Sequence, residues 1–554
     1  MKRLLTLHHP TEARRYYASG LWQDDTLYSL AARWALERGD AAAVRDYHRR
    51  VSWRELLAEA DRVASALHRQ GLAPGDRVSV WMGNRIEAIA IFLACARNGY
   101  VFNTSLHATY GTGEVVTLLE QVTARALFAE VGHGAGGAGD DIFALAKTQP
   151  SIRAVFALPG RHGDANALPG LAYPTEAAHE IQPVADDADQ VVYLAFTSGT
   201  TGAPKAVMHS SNTLLANARA MVADWGFGSE TVLLTLSQMS HHIGTVALCQ
   251  ALVGGFELVL TDAAAGHHPI DWIEHTGATY VMGVPTHAID ILAALAQREQ
   301  QQLGHVSVFY LAGAPIPRAT AQSLLDRGIT PQNVYGMTEN GSHQYTLPGD
   351  DVNTITGTCG KACAAYEIAI FDQHDRDVPV PIGEIGEIGG RGAMRMLGYF
   401  GNQAATEASF NASGWFMSGD LGKINAYGDL EVVGRSKDII IRGGHNIHPA
   451  RIEDLAMHHP VISKAAVVPI ADERLGEKVC LIVTATHILD GPEVLGFLAA
   501  AGLSKYDMPE FFAQADQLPL GPTGKVLKRE LVQWLCAGTL KPKAVRWRTS
   551  EVSI

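Results

Sequence analysis

The sequence is poor in cysteine, and its dense apolar runs are short. Its six cysteines form no Cys-x-x-Cys pair, and Cys359 and Cys363 have no matching second pair. Neither a disulfide framework nor a zinc site is therefore predicted. The densest apolar run, residues 88–96, is far short of the roughly 18 residues of a membrane span. The apolar part of the N-terminal MKRLLTLHHP is also too short for a signal peptide. We expect a cytoplasmic enzyme with reduced thiols.

The chain also has few basic residues. It contains 44 Lys and Arg against 57 Asp and Glu, a net charge of −13. Nucleic-acid binding needs clustered surplus cations, so this composition argues against a nucleic-acid partner. The hydrophobic share of 47% excludes a mostly disordered chain, and the charged share of only 18% predicts extensive core. Small molecules are the expected partners, and a homodimer is left open.

Helical and strand patterns alternate along the first part of the chain. Ser52 and Glu55 have the spacing of a capping box, which predicts a helix that stops near Gly71. A strand at 77–82 and a buried helix at about 85–97 follow it. Alternation of this kind predicts a layered α/β fold.

A domain boundary is predicted near residues 435–446, where two glycine-containing segments bracket a short strand at 439–441. The chain beyond it has its own pattern. The predicted strands there are 465–470 and 479–484, and the predicted helices are 493–501 and 527–536. The expected domains are a large N-terminal body (1–436) and a small C-terminal domain (437–554).

The most specific local signal is YLAFTSGTTGAPKAV at 193–207. A hydrophobic strand runs into a loop of glycines and hydroxyl residues that ends at Lys205. Glycines let successive backbone N–H groups converge on an anion, the hydroxyls add donors, and the lysine adds charge. The spacing differs from a Walker loop, in which lysine directly follows glycine. The predicted phosphate-binding residues are Thr197, Ser198, Gly199, Thr200, Thr201, Gly202 and Lys205.

This segment resembles the phosphate loop of the adenylate-forming superfamily, which comprises acyl-CoA synthetases, peptide-synthetase adenylation domains and beetle luciferases. Five more segments agree in the family's order. They are LAGAP (311–315), VYGMTE (334–339), GWFMSGDLG (414–422), GRSKDIIIRGGHNIHP (434–449) and PTGKVLKREL (522–531). The resemblance implies a large α/β body of several subdomains, a small mobile α+β C-terminal domain, and the cofactors ATP, Mg²⁺ and coenzyme A.

The resemblance also implies roles at the nucleotide. Tyr335 would stack on adenine, Thr338 would contact phosphate, and Glu339 would bind magnesium, which commonly takes one or two carboxylates plus phosphates. The two carboxylate oxygens of Asp420 can accept both ribose hydroxyls. Arg435 would contact ribose or phosphate. The remaining nucleotide contacts implied are Gly313, Ala314, Pro315, Gly336 and Met337.

Lys525 is predicted to carry adenylation, because a fixed ammonium stabilises the charge that builds up as a carboxylate attacks the α-phosphate. By resemblance, Lys437 is a hinge between two poses of the C-terminal domain. One pose brings Lys525 to ATP, and the other brings Gly443 and Gly444 to line a pantetheine tunnel.

His241 is expected to gate the acyl pocket and the thiol tunnel, and a general-base role is left open. The predicted pocket wall offers no evident fixed charge, which favours a largely apolar acid: aromatic, alicyclic or medium-chain. Its residues are His241, Met282, Gly283, Gly313, Met337 and Gly341.

Two positions depart from the family pattern. Ala206 replaces a glycine after Lys205, and positive φ there would cost about 1–2 kcal/mol. Arg451 replaces a glutamate in the first turn of a helix, where it opposes the dipole or meets a CoA phosphate. The predicted function is an acyl-CoA ligase. Three alternatives remain: a homologue specialised for thioesterification, an adenylation enzyme that loads a carrier protein, and a silent acyl-adenylate-binding protein. A luciferase-like oxygenase has the same fold but no support in this sequence.

Overall fold

A computed structural model shows a large α/β body followed by a small α+β unit, which confirms the predicted fold class. The described residues are 4–135, 141–160, 170–176, 183–197, 204–262, 266–314, 316–443, 445–521 and 525–547. Across these ranges, no helix combines the length and apolarity that crossing a membrane requires. The domain boundary at residue 437 stays a prediction.

The first sheet of the body is parallel except for its last strand. Its spatial order is β7 (Leu171–Ala172), β6 (Ala154–Leu158), β5 (Ala126–Glu130), β3 (Arg77–Trp81), β4 (Val101–Asn103), β8 (Val191–Thr197) and β9 (Lys205–Ser210). Strands β5, β6 and most of β8 are buried, as expected when helices cover both faces. Strand β9 pairs antiparallel with β8, so the two residues that flank the predicted phosphate loop, Thr197 and Lys205, lie opposite each other.

The second sheet has nine strands and a parallel centre. Its spatial order is β16 (Lys361–Ala362), β15 (Gly341–Tyr345), β14 (Thr330–Met337), β13 (Val308–Ala312), β12 (Tyr280–Gly283), β10 (Val232–Thr235), β11 (Glu257–Leu260), β1 (Ala42–Arg45) and β2 (Arg50–Ser52). The β14–β15 ladder is antiparallel and shifts register between Tyr335 and Met337. Such an irregularity re-aims side chains at a strand end.

The helices of the body pack on these sheets. They are α1 (Pro10–Ala18), α2 (Leu27–Glu37), α3 (Trp53–Arg69), α4 (Ile86–Asn98), α5 (Thr112–Gln121), α6 (Ile142–Lys147), α7 (Ser211–Trp225), α8 (His242–Gly254), α9 (Pro269–Thr276), α10 (Pro285–Gln297), α11 (Arg318–Leu325), α12 (Val352–Gly357) and α13 (Gln403–Ala408). The predicted capping box is present: the Glu55 N–H donates to Ser52 Oγ, and the Ser52 N–H donates to Glu55 Oε2. The helix ends at Arg69, slightly before the predicted glycine.

A third, antiparallel sheet completes the body. Its strands, in order, are β17 (Tyr366–Phe371), β18 (Gly386–Gly392), β19 (Phe416–Ile424) and β20 (Leu430–Arg435). The β19–β20 register places Asp420 opposite Arg435. Two residues 15 positions apart by number therefore face each other because of strand pairing.

The C-terminal unit has hydrophobic clusters of its own, formed by residues beyond 439. Its elements are β21 (Ile440–Arg442), β22 (His445–Ile447), α14 (Pro449–Met457), β23 (Ile462–Asp472), β24 (Gly476–Ala485), α15 (Gly491–Ala500), β25 (Phe511–Gln514), α16 (Lys528–Cys536) and β26 (Lys543–Ala544). All four predicted elements of this unit are present. The short strand predicted at 439–441 lies one residue later.

Candidate active site

The strand ends that flank the phosphate loop lie close together. Thr197, the last residue of β8, pairs with Lys205, the first residue of β9. The Thr197 hydroxyl donates to the Lys205 carbonyl oxygen at 3.5 Å. The ammonium of Lys205 lies 4.1 Å from the centre of the Tyr399 ring, a cation–π contact. The predicted loop residues Ser198, Gly199, Thr200, Thr201 and Gly202 lie outside the described residues.

Glu339 follows the β14 strand end and is held by the same tyrosine. The Tyr399 hydroxyl donates to Glu339 Oε1 at 2.9 Å. Burial raises the pKa of Glu339, and the Tyr399 hydrogen bond and the charge of Lys205 oppose that rise. A single buried carboxylate fits Mg²⁺, which can take its other ligands from nucleotide phosphates and water. No cluster of three or more acidic, His or Cys side chains suited to a metal occurs among the described residues.

Asp420 lies between an aromatic ring and a guanidinium group. The Tyr335 hydroxyl donates to Asp420 Oδ2 at 3.0 Å, and Arg435 Nε lies 3.3 Å from Oδ1. Burial raises the pKa of Asp420, against the opposing charges of Arg435 and Lys525. The structure therefore brings together an aromatic ring, a carboxylate and a cation that the sequence predicts as nucleotide contacts.

Lys525 reaches this group from the C-terminal unit. Its side chain is exposed to solvent, and neighbouring protein atoms displace part of its hydration. Loss of hydration lowers the pKa of Lys525; Arg435 lowers it further, and Asp420 raises it. Lys525 is therefore close enough to Asp420 and Arg435 for their charges to change its pKa.

Small residues occupy the positions that the sequence predicts as adenine contacts. Gly313 has a φ of +89° and is exposed together with Ala314, directly after β13. At Gly336 a Cβ atom would lie 1.9 Å from the carbonyl oxygen of Gly341, so the hairpin admits only glycine. Pro315 lies outside the described residues.

The predicted acyl residues border the start of α8 and the ends of β12 and β14. Met282 is buried and accepts a weak contact from Gln250 Nε2 at 3.3 Å. A Cβ atom on Gly283 would lie 2.8 Å from His287 Nδ1. Gly341 has a φ of +64°, and a Cβ there would meet Asn217. Met337 instead packs against the cluster that contains Tyr399, on the phosphate side.

Two pairs of histidines stack beside the same region. His241 is the N-cap of α8, and its ring lies 4.4 Å from that of His107. Burial, reinforced by His241, lowers the pKa of His107 to about 3. The ring of His242 lies 5.6 Å from that of His209, whose Nε2 donates to the carbonyl oxygen of Thr338 at 2.7 Å. One of these pairs thus links α8 to the predicted phosphate contact.

The hinge region connects β20 to the C-terminal unit through a short 3₁₀ turn at 436–438. Ser436 Oγ donates to the carbonyl oxygen of Gly419 at 3.0 Å. Lys437 is close enough to Lys205 to lower the pKa of that lysine, although burial lowers it more. Gly443 is exposed, and its N–H donates to Leu475 within the C-terminal unit. Gly444 lies outside the described residues.

The structure shows the effect of one of the two departures from the family pattern, the alanine that follows Lys205. Ala206 lies in β9, opposite Phe196, and it is not one of the two described non-glycine residues with positive φ. The alanine therefore introduces no backbone strain. Arg451 lies exposed in the first turn of α14.

Sequence reasoning missed Tyr399, His107 and His209. Tyr399 follows a glycine in an irregular segment and carried no motif signal of its own. Its contact with Glu339 joins residues 60 positions apart. The two histidines lie among 23 in the chain, so only tertiary packing distinguishes them.

Comparison with known proteins covers both parts of the chain. Residues 31–400 match the family described as AMP-binding enzyme, and residues 451–525 match the AMP-binding enzyme C-terminal domain. Enterobactin synthase component E of Escherichia coli (strain K12) is 31% identical over 532 residues, covering 95% of this chain and 97% of the relative. The medium-chain fatty-acid–CoA ligase of the same strain is 29% identical over 549 residues, 97% and 96% of the two chains. ATP-bound MatB from Rhodopseudomonas palustris has a TM-score of 0.80 at 27% identity, covering 92% of this chain and 99% of that one.

Proposed function

This chain belongs to the AMP-binding enzyme family, and we propose that it is an acyl-CoA ligase that activates a largely apolar carboxylic acid. The acid and ATP would give acyl-AMP and pyrophosphate, and the CoA thiol would then displace AMP. The observation that carries the proposal is the cluster of Tyr335, Asp420 and Arg435, in which the tyrosine hydroxyl donates to the carboxylate at 3.0 Å and the guanidinium lies 3.3 Å from it. The similarity to a medium-chain fatty-acid–CoA ligase over 97% of the chain supports the choice of CoA as acceptor.

For adenylation, each group acts where charge develops. Asp420 would orient the ribose, and Tyr335 would hold both the base and that carboxylate. Lys205 and Arg435 would bind phosphate oxygens. Lys525 would stabilise the negative charge shared by the attacking carboxylate and the α-phosphate, an effect typically worth about 10²–10³ in rate. Mg²⁺ held by Glu339 would neutralise the phosphates.

For thioesterification, the hinge at Lys437 would let the C-terminal unit turn. Gly443 lies on the surface of that unit, next to the hinge, with a φ of +60°. The turn would carry Lys525 away and Gly443 toward the body. His241, stacked on His107, would gate the meeting point of acyl group and thiol. Exposed Arg451 is a candidate contact for a CoA phosphate.

The choice of acid rests on the residues that the sequence assigns to the acyl pocket. That set contains no Asp, Glu, Lys or Arg side chain, and Met282 within it is fully buried. A charged group on the body of the acid would lose its hydration there without gaining a partner.

The proposal is tested by pyrophosphate release from MgATP across a panel of carboxylic acids, with and without CoA. Wild type is expected to release pyrophosphate with at least one apolar acid and to form its thioester when CoA is added. Lys525→Ala should abolish acid-dependent release, and Lys541→Ala, an exposed lysine of the same unit, should not. Acid-dependent release without a CoA thioester would contradict the ligase and favour a carrier protein as acceptor.

A further inference from the structure

Gly443 and Gly444, here called the glycine pair, separate the two strands of a short hairpin in the C-terminal unit. The ladder between β21 and β22 pairs Arg442 with His445, the residues directly before and after the glycine pair. Residues opposite each other in an antiparallel ladder project from the same face. Gly443 has a φ of +60°, which glycine adopts without strain. The side chains of Arg442 and His445 are therefore placed to hold both ends of this connection.

The hairpin lies at the edge of its sheet. The spatial order of the strands is β22, β21, β24, β25 and β26, so β22 is an outermost strand. Strand β21 meets β24 where Arg442 lies opposite Gly476, and the Gly443 N–H donates to the carbonyl oxygen of Leu475 at 2.7 Å. A two-stranded hairpin by itself is marginally stable at best. The position of the glycine pair therefore depends on what the side chains of the hairpin bind.

Arg442 binds the segment 506–510. Its Nη1 donates to Glu510 Oε1 at 2.6 Å, and its Nη2 donates to the carbonyl oxygen of Tyr506. The other oxygen of Glu510 accepts the N–H of Val479 at 2.9 Å, so the carboxylate is itself fixed to β24. The Arg442 side chain is only 15% exposed. Charge-assisted hydrogen bonds in such a partly buried setting are strong, so this contact should hold the first end firmly.

His445 binds the same segment from the other end of the glycine pair. Its Nε2 lies 2.8 Å from Asp507 Oδ1. The two side chains are 50% and 28% exposed, and an exposed pair of this kind adds little to the stability of the whole unit. Its effect is local, because it fixes the strand that leaves the glycine pair. Both ends of the glycine pair are thus held on residues 506–510.

We infer that Arg442 and His445 are positioning residues for the thioesterification half-reaction. The inference rests on the proposed acyl-CoA ligase function, in which the glycine pair meets the thiol arm of CoA. By binding residues 506–510, the two side chains keep the hairpin ordered before CoA arrives. A binding surface that is already ordered costs less free energy to occupy than one that the ligand must order.

The test separates the two half-reactions in the full-length protein. Adenylation is followed as pyrophosphate release from MgATP with octanoate, benzoate or cinnamate, without CoA. Thioesterification is followed from the synthetic adenylates of the same three acids, at increasing concentrations of CoA. Because adenylation is assigned to Lys525, Asp420 and Arg435, loss of the hairpin contacts should change only the second reaction.

Two variants remove the contacts one at a time. Arg442→Met should raise KM for CoA about tenfold or more, and His445→Ala should raise it about three- to fivefold. For both, kcat at saturating CoA and pyrophosphate release should stay within about twofold of wild type, because the lost order is a cost of binding and not of the chemical step. His445→Gln keeps a hydrogen-bond donor for Asp507 and should restore KM.

Glu510 distinguishes a positioning role from a direct contact between Arg442 and CoA. Glu510→Gln removes the counter-charge of Arg442 and leaves the cation in place. If Arg442 acts through the hairpin, KM for CoA should rise about tenfold, as in Arg442→Met. A KM that falls or does not change in Glu510→Gln would show that Arg442 binds a CoA phosphate directly, and would overturn the inference.

Matched controls remove similar contacts elsewhere in the chain. His458 Nδ1 lies 2.8 Å from the carbonyl oxygen of Asp454 within α14, and Arg298 pairs with Asp271 in the body. His458→Ala and Arg298→Met should leave both half-reactions unchanged. If Arg442→Met does not fold, His445→Ala, at an exposed position, still decides the question.

The failures of the two proposals differ. An unchanged KM for CoA in His445→Ala and Arg442→Met, or equal losses in both half-reactions together with a lower melting temperature, would overturn this inference and leave the ligase intact. If wild type forms no CoA thioester from any of the adenylates, the ligase itself is overturned, and this inference with it.

Discussion

Tyr399 holds Glu339 and Lys205 together. Its hydroxyl donates to Glu339 Oε1 at 2.9 Å, while its ring lies 4.1 Å from the ammonium of Lys205. One side chain thus positions the carboxylate expected to hold magnesium and the cation expected to hold phosphate. Neither contact involves substrate, so Tyr399 is a positioning residue.

Removal of the Tyr399 hydroxyl should weaken magnesium use. Tyr399→Phe keeps the aromatic ring beside the Lys205 ammonium but removes the hydrogen bond that Glu339 accepts. A hydrogen bond to a charged group contributes about 1.5–3 kcal/mol. We expect the magnesium concentration for half-maximal pyrophosphate release to rise about tenfold or more. Tyr427→Phe, at a tyrosine 82% exposed, is the control. An unchanged magnesium titration in Tyr399→Phe would show that the hydrogen bond does not position Glu339.

The ionised side chain of Glu339 should lower the free energy of unfolding, although activity requires it. Because burial raises its pKa, the folded protein binds a proton at Glu339 more readily than the unfolded chain does. The free energy of unfolding therefore falls as pH rises from the unfolded pKa to the raised folded pKa. Glu339→Gln should melt at a higher temperature than wild type at neutral pH and lose activity about 10²-fold.

The stability gain of Glu339→Gln should shrink as the pH falls below the ordinary glutamate pKa, since both states of wild type are then protonated. Melting curves between neutral and acidic pH measure it. A gain that does not depend on pH would show that the burial of charge is not its cause.

Substitution of Asp420 should weaken the affinity for ATP more than the affinity for the acid. Asp420→Asn removes the charge between Tyr335 and Arg435 and leaves that arginine without its counter-ion. We expect KM for ATP to rise about 10- to 100-fold, with KM for the acid changed far less. Glu367→Gln, which breaks an exposed pair with Arg391, is the matched control and should leave both constants unchanged. Equal effects on ATP and acid would contradict a ribose contact.

The alanine at position 206, where the family pattern has glycine, should impair neither stability nor adenylation. Because Ala206 lies in a regular strand and does not have a positive φ, Ala206→Gly relieves no backbone strain. The glycine instead adds backbone freedom that is lost on folding. We expect a loss of about 0.5–1 kcal/mol in the free energy of unfolding, with pyrophosphate release unchanged. Denaturant unfolding and steady-state kinetics measure the two effects. Faster adenylation in the glycine variant would show that the loop needs a conformation that alanine resists.

The sequence predicts the fold where the pattern is local. The capping box at Ser52 and the strand that begins at Arg77 depend on neighbouring residues, and both are confirmed within a few positions. The contact between Tyr399 and Glu339 and the stack of His107 on His241 join distant segments, so strand order and packing decide them. Asp420 and Arg435 were predicted singly from motifs, but their pairing required the register of β19 and β20.

The central claim, that Lys525 serves adenylation and leaves for thioester formation, is tested most directly by separating the two half-reactions. Lys525→Ala is supplied first with acid and MgATP, and then with a synthetic acyl-adenylate and CoA. The account predicts a loss of pyrophosphate release of about 10²-fold or more, with thioester formation from the adenylate close to wild type. Equal losses in both half-reactions would contradict it.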